Sequence, residues 1–329
     1  YRTKIVDGNH LRRTDSRIGE LRKRNVAPLP GKSLVVYDAE YRLAVDVIPC
    51  ECGHASERTL LPSLLETIDP KDLWVADRNF CTVAFLFGIA KRRAKFIIRQ
   101  HGQMPYTLKG RRCRIGETET GVVYEQTMEV VDEQGNIRSF RRISVSLYEQ
   151  TRDGDCEVHI VTNLPKRICA TRIADLYRER WTIETAFQNM AENLEGEIQA
   201  LGYPKAALFG FCMALVSYNV FSVIRATVQS VHGEEIADNL SIYYMSNEIA
   251  ASYDGMSVVL DDEFWQDRYA HKTSRQIATE LKRIAKNMRL KKYKKNKWKP
   301  KNKAKPEKTK TNRQHASTYK VLQEARQSA

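Results

Sequence analysis

Short apolar runs with polar ends open the chain. Residues 2–7 (RTKIVD), 33–38 (SLVVYD) and 41–48 (YRLAVDVI) read as strands, and the last two predict a hairpin turning at Ala39 and Glu40. From residue 55 the apolar spacing becomes helical. ASERTLLPSLLETI (55–68) and FCTVAFLFGIAKRR (80–93) predict helices, with short buried strands at 73–77 (LWVAD) and 95–100 (KFIIRQ). Three strands, then helix, strand, helix and strand, predict an α/β fold in which helices flank a mixed sheet.

From Met104 to about Thr162 the texture changes to alternating segments. VVYEQTMEVVD (122–132) and IRSFRRISVSLYE (137–149) flank the turn residues EQGN, and CEVHIVTN (156–163) adds a strand, so this stretch reads as an all-β insertion. A single helix is expected to begin near Thr171, with Ile173, Leu176, Ile183, Phe187, Met190 and Leu194 as its buried stripe. Residues 204–230 are the most apolar. Ala206 to Ile224 approaches the length of a membrane span, but Ser217, Tyr218 and Asn219 interrupt it, and a helix buried against the sheet is the expectation. Farther on, Thr273 and Gln276 fit a capping box ahead of Ile277, Leu281, Ile284 and Met288 on one helix face.

Composition and charge add further points. The 329 residues, 42% of them hydrophobic, suffice for a large core. Seven scattered cysteines do not form a disulfide framework and suit a reducing cytoplasm. Cys50, Cys52 and His54 lack a second ligand pair at zinc-site spacing, which favours a plain strand-end loop. Charge is segregated: residues 271–329 hold 20 basic and 3 acidic residues, whereas 1–270 hold 34 basic and 37 acidic. The tail centre, KKYKKNKWKPKNKAKPEKTK (291–310), is expected to stay solvated and mobile; it either attracts polyanions through Lys291, Lys292, Lys294, Lys295 and their neighbours or only solubilises the chain. The chain starts at Tyr1, straight into a strand pattern with no export signal, so a preceding amino-terminal segment is expected.

Candidate chemistry lies in LYRERWTIETAF (176–187). Tyr177, Arg180 and Glu184 recur at steps of three and four, so a phenol, a guanidinium and a carboxylate rise from one helix edge beside the core. Taken alone, Arg180 and Glu184 are an ordinary surface pair. Two strands elsewhere, KIVD and LWVAD, run from apolar residues directly into Asp7 and Asp77, at strand ends where sites of α/β sheets collect. An Asp there is more often a cap. Three carboxylates gathered together would be costly unless cations filled the pocket.

These motifs resemble the DDE transposases of bacterial insertion sequences, in the branch with a Tyr-x2-Arg-x3-Glu-x6-Lys signature. Tyr177, Arg180 and Glu184 match the signature; VDGNHLR (6–12) and ADRNFC (76–81) match the segments of the first and second Asp, and ERTLL (57–61) and VTNLP (161–165) have the family's texture. The resemblance covers about residues 1–230, with the motifs in order. The signature Lys would fall at position 191, which is Ala191.

The resemblance implies an RNase H-like core (1–103 and 165–232) with a β-rich insertion (104–164), followed by a C-terminal helical region and Lys-rich tail (233–329). It implies Asp7, Asp77 and Glu184 as catalytic residues holding Mg2+ or Mn2+, as two ions, for strand cleavage and 3′-hydroxyl strand transfer. Arg180, Tyr177, Arg78 and Trp181 become candidate DNA contacts, with Trp181 expected to pack first and touch bases second. The implied partners are transposon ends and target DNA, with a homodimer assembled on DNA in a bacterial cytoplasm near the nucleoid. The alternatives are a nuclease that cuts without joining and a domesticated derivative that binds DNA without chemistry. No phosphate-cradling glycine loop supports a small-molecule phosphatase.

Overall fold

The computed structural model describes residues 1–12, 18–151, 154–198, 201–296 and 314–328. The first strands are β1 (Arg2–Leu11), β2 (Ala27–Leu29), β3 (Gly31–Asp38) and β4 (Leu43–Cys50), with a short helix α1 (Gly19–Arg22) after β1. The β3–β4 hairpin turns over residues 39–42 rather than at Ala39 and Glu40 alone. Asp38 Oδ1 accepts the Glu40 and Tyr41 N–H groups, and Arg42 takes a left-handed φ of 56°. Next come α2 (Leu61–Glu66), β5 (Asp72–Ala76), α3 (Val83–Lys91) and β6 (Lys95–Arg99). Helix α3 starts later than the apolar spacing suggests, because a 3-10 turn at Arg78–Phe80 intervenes and the Thr82 hydroxyl caps the helix at Phe85 N.

Strands β7 (Thr107–Thr118), β8 (Gly121–Val131), β9 (Ile137–Leu147) and β10 (Glu157–Thr162) follow. They extend the first sheet: the order is β4-β3-β1-β5-β6-β10-β9-β8-β7, with β1, β5 and β6 parallel and the rest antiparallel. β7, the outermost strand, has no counterpart in the sequence expectation; it is almost wholly exposed and carries no apolar alternation.

Side-chain alternation divides the core in two. Ile5, Val35, Tyr37, Val75 and Ile97 face one side of the sheet, where they pack against α4 (Ala170–Arg178), α5 (Trp181–Asn193) and α6 (Pro204–His232). Val6, Leu34, Val36, Trp74, Ala76, Phe96 and Ile98 face the other, against α2 and α3. A mixed sheet with helices on both faces is the RNase H-like arrangement that the motifs imply.

Helices α7 (Glu234–Asp238), α8 (Ile242–Met256), α9 (Asp262–Tyr269) and α10 (Ser274–Lys286) complete the helical region; α7, α8 and α10 pack on the second half of α6 through Phe221, Val228, Ala237, Met245 and Ala285. The Thr273–Gln276 capping box opens α10 as expected. The chain end returns to the early strands: β11 (His315–Ser317) pairs in parallel with β2, and α11 (Thr318–Gln327) sets Val321 on Ile18 and Leu21 of the α1 segment.

The expectation of a mobile run at 291–310 fails for its first residues. Leu290–Tyr293 forms a 3-10 turn whose Leu290 and Tyr293 pack into the α6–α8–α10 cluster; Lys292 Nζ pairs with Glu248 at 2.6 Å, and Lys294 bridges to Leu240. One apolar residue on each side of the lysine pair is enough to anchor the turn. Residues 297–310 lie outside the described residues.

Candidate active site

Strand register brings the two aspartates together. Val6 of β1 pairs with Ala76 of the parallel neighbour β5, so Asp7 and Asp77 come next to one another, a strand spacing of about 4.8 Å apart. Both continue the alternation of Ile5 and Val75, toward α4 and α5. The nearby helices deliver the third carboxylate.

The stretch 171–194 is two helices, not one. At Glu179 and Arg180 the hydrogen bonds tighten to i→i+3: Glu179 N to Leu176 O, Arg180 N to Tyr177 O and Thr182 N to Glu179 O. The break occurs where the Arg180 side chain turns inward, 7% exposed, to Asp7. The apolar stripe survives it: Ile173, Ile183 and Met190 are buried, with Leu176, Phe187 and Leu194 packed against them.

Arg180 is the hub. Nη1 donates to Asp7 Oδ2 at 2.9 Å and Nη2 lies 2.8 Å from Glu184 Oε1, while Nε is buried without a partner. The Gly8 N–H donates to the other Asp7 oxygen at 2.9 Å. The Tyr177 hydroxyl reaches Asp77 Oδ1 at 3.5 Å, the outer limit of a hydrogen bond. Burial pushes the Asp7 carboxyl up to about 7; Arg180 and the Gly8 N–H pull it down, and the Glu184 and Asp77 charges raise it further. Burial, then the Asp77 charge, push the Tyr177 phenol up to about 12. Burial opposes the Arg180 charge, but Tyr177, Asp7, Glu184 and Asp77 outweigh it, so its pKa is raised. Asp7, Asp77 and Glu184 thus share one electrostatic neighbourhood.

Hard carboxylate oxygens on a crowded, part-buried patch suit a divalent cation, and the Glu184 and Asp77 charges both bear on Asp7. The donor chemistry therefore fits Mg2+ or Mn2+. As arranged, Arg180 takes an oxygen from both Asp7 and Glu184, and among the described residues no group of three His, Cys, Asp or Glu side chains is gathered to hold a metal ion.

The other candidates fall into two places. Arg78 is exposed on the turn that follows Asp77. Trp181 is 61% exposed, correcting the expectation that it packs: Ile183 and Phe187 occupy the core side of α5, and the indole stays in solvent with the Arg180 guanidinium carbon 5.1 Å from its ring. Lys291, Lys292, Lys294 and Lys295 lie apart from the carboxylates, beside α7 and α8. Of these, Lys295 lines a cavity of about 250 Å3 under α5 with Thr182, Arg42 and Arg225, and its Nζ donates to Asp238 O at 2.7 Å.

One group at the site went unread in the sequence. A Cβ on Gly8 would fall 2.1 Å from Glu57 Oε1, so the Glu57 side chain lies directly over Gly8. Asn79 Nδ2 donates to Glu57 at 3.4 Å and Arg58 Nε to Asn79 O at 3.0 Å, tying ERTLL to the turn after Asp77. ERTLL stood out only for its texture, and the glycine directly after an aspartate was the further signal.

No curated protein matches the chain. The family model of the transposase DDE domain matches residues 1–219, a span that contains Asp7, Asp77 and Glu184. With two thirds of its length matched by that model, the chain belongs to the DDE transposase family.

Proposed function

We propose that the protein is a DNA transposase that cleaves strands at the ends of an insertion sequence and joins the freed 3′-hydroxyl to target DNA. The observation that carries this reading is the convergence of Asp7, Asp77 and Glu184 around Arg180 at the ends of β1 and β5 and the start of α5. Asp7, Asp77 and Glu184 are the residues that would hold divalent cations. Such ions, when bound, activate the attacking oxygen and stabilise the leaving oxygen of an in-line displacement at phosphorus.

The protein's own groups then have distinct tasks. Arg180 pairs with Asp7 and Glu184 in this arrangement, and its planar fork is the group that would grip a backbone phosphate were those carboxylates engaged in holding cations. Tyr177 holds Asp77 through its hydroxyl. Arg78 and the exposed Trp181 flank the site, one for phosphate contact and one for stacking on a base. The lysines of 291–295 add sequence-independent attraction to the duplex.

The test is incubation with labelled duplex oligonucleotides carrying transposon-end sequence, in Mg2+ or Mn2+, and with a pre-cleaved end bearing a 3′-hydroxyl. Nicking and joining are expected, and both should fall to background in Asp7→Ala, Asp77→Ala and Glu184→Gln. Cutting without joining would make the protein a nuclease. Binding without either would make it a DNA-binding derivative.

A further inference from the structure

Helix α6 has two apolar faces. Its inner face (Leu208, Phe211, Leu215, Tyr218) packs against β3 and β4, and the Asn219 side-chain amide bonds both backbone groups of Ala44 at 2.8 Å. Its outer face carries Phe209, Met213, Val216, Val220 and Val223, each between 45% and 68% exposed. From Ala206 to Ile224 the helix has no charged residue on any face. A helix apolar all round is one whose whole surface is covered. Here only half of it is.

The outer residues follow steps of four, three, four and three, the repeat of a two-helix seam in which each side chain fits between those of a like partner. Thr227, the next position, borders an apolar cavity of about 310 Å3 that Ile224, Met245, Ile249 and Ile284 also line, so the seam has room to continue. With about half of each of five side chains exposed, the stripe offers roughly 500 Å2 per copy, and two copies reach about 1,000 Å2, the lower bound for a specific interface.

We propose that this face is where two copies of the chain pair, α6 against α6, about a two-fold axis. The stripe from Phe209 to Val223 has no cation for nucleic acid, and only Lys205 stands at its end. Two observations argue against a lipid surface: α6 is fixed to the sheet along its inner face, and Lys205 alone does not make the Lys and Arg border of helices that lie in a membrane interface. Residues 297–313 contain only Trp298 and Ala304 as hydrophobic residues, too few to cover a five-residue stripe. A second copy brings a matching repeat.

The experiment is sedimentation of the full chain across a dilution series at high salt, with Val216→Glu/Val220→Glu as the variant and far-UV circular dichroism as the check that it folds. The wild type is expected to sediment as a dimer that dissociates on dilution, and the variant as a single 37.9 kDa chain at every concentration. As a second measurement, Val216→Cys and Val220→Cys chains are oxidised and resolved without reductant; covalent dimers well above the background of Cys212 and the other native thiols are expected. A wild type that stays monomeric at all concentrations, or a dimer that the double substitution leaves intact, overturns the proposal. So does flotation of a monomeric wild type with phosphatidylcholine vesicles that the variant lacks, which would assign the face to lipid.

Discussion

Arg180 donates to Asp7 across 173 positions of sequence, and the same guanidinium lies against Glu184 one helical turn away. A carboxylate at 19% side-chain exposure and a guanidinium at 8% depend on each other. Arg180→Ala leaves Asp7 close to two like charges with no compensating cation, and metal-free unfolding in urea should show a loss on the order of 3 kcal/mol. Arg180→Lys should recover only part, since an ammonium cannot bridge both carboxylates as the fork does. An unchanged midpoint for Arg180→Ala would show that the hub is not structural.

The Tyr37 and Tyr218 hydroxyls lie 3.1 Å apart between β3 and α6, both buried. Tyr218→Phe strands the Tyr37 hydroxyl and should cost about 1–2 kcal/mol, whereas removing both hydroxyls should cost less than the sum of the single changes. A double-mutant cycle on unfolding free energies reads the difference.

Thr273 caps α10 with both halves of its box formed. Thr273→Ala should cost about 1 kcal/mol of stability and loosen α10 from α6, measured as faster amide exchange over residues 274–281.

His159 on β10 accepts or donates at Ser144 Oγ, 2.9 Å from Nδ1, and burial, then the Arg142 charge, lower its pKa. The folded chain therefore binds this proton less readily than the unfolded one. Its contribution is present above the unfolded value of about 6.5 and is lost as pH falls through the lower folded value. The stability gap between wild type and His159→Gln should shift against the wild type between pH 7 and pH 5. A gap that stays constant over that range would rule the linkage out.

The neighbourhood of the candidate site was legible because strand ends and helix spacing are local signals: KIVD and LWVAD end in Asp7 and Asp77, and three- and four-residue steps link Tyr177, Arg180 and Glu184. The break at Arg180 was not, since it accompanies a contact with a residue 173 positions away and leaves Arg180 itself with helical angles of −52° and −34°. Trp181 misled because size argues for burial, while its place at the start of α5 gives the core side to Ile183 and Phe187. Strand β7 gave no periodic signal because both of its faces meet water. The turn at Leu290–Tyr293 was hidden by the lysines around its two anchoring side chains.

That outermost strand has a consequence for solubility. β7 ends the sheet with backbone donors and acceptors turned outward, an invitation for a strand of another molecule to add on. Lys109, Arg111, Arg112 and Arg114 crowd the same strand, and a left-handed Gly110 (φ 69°) kinks it where the pairing register slips. A newcomer would meet charged side chains, several of them already paired with glutamates, and a bent template, so the rim stays single and the sheet stops growing at nine strands among the described residues.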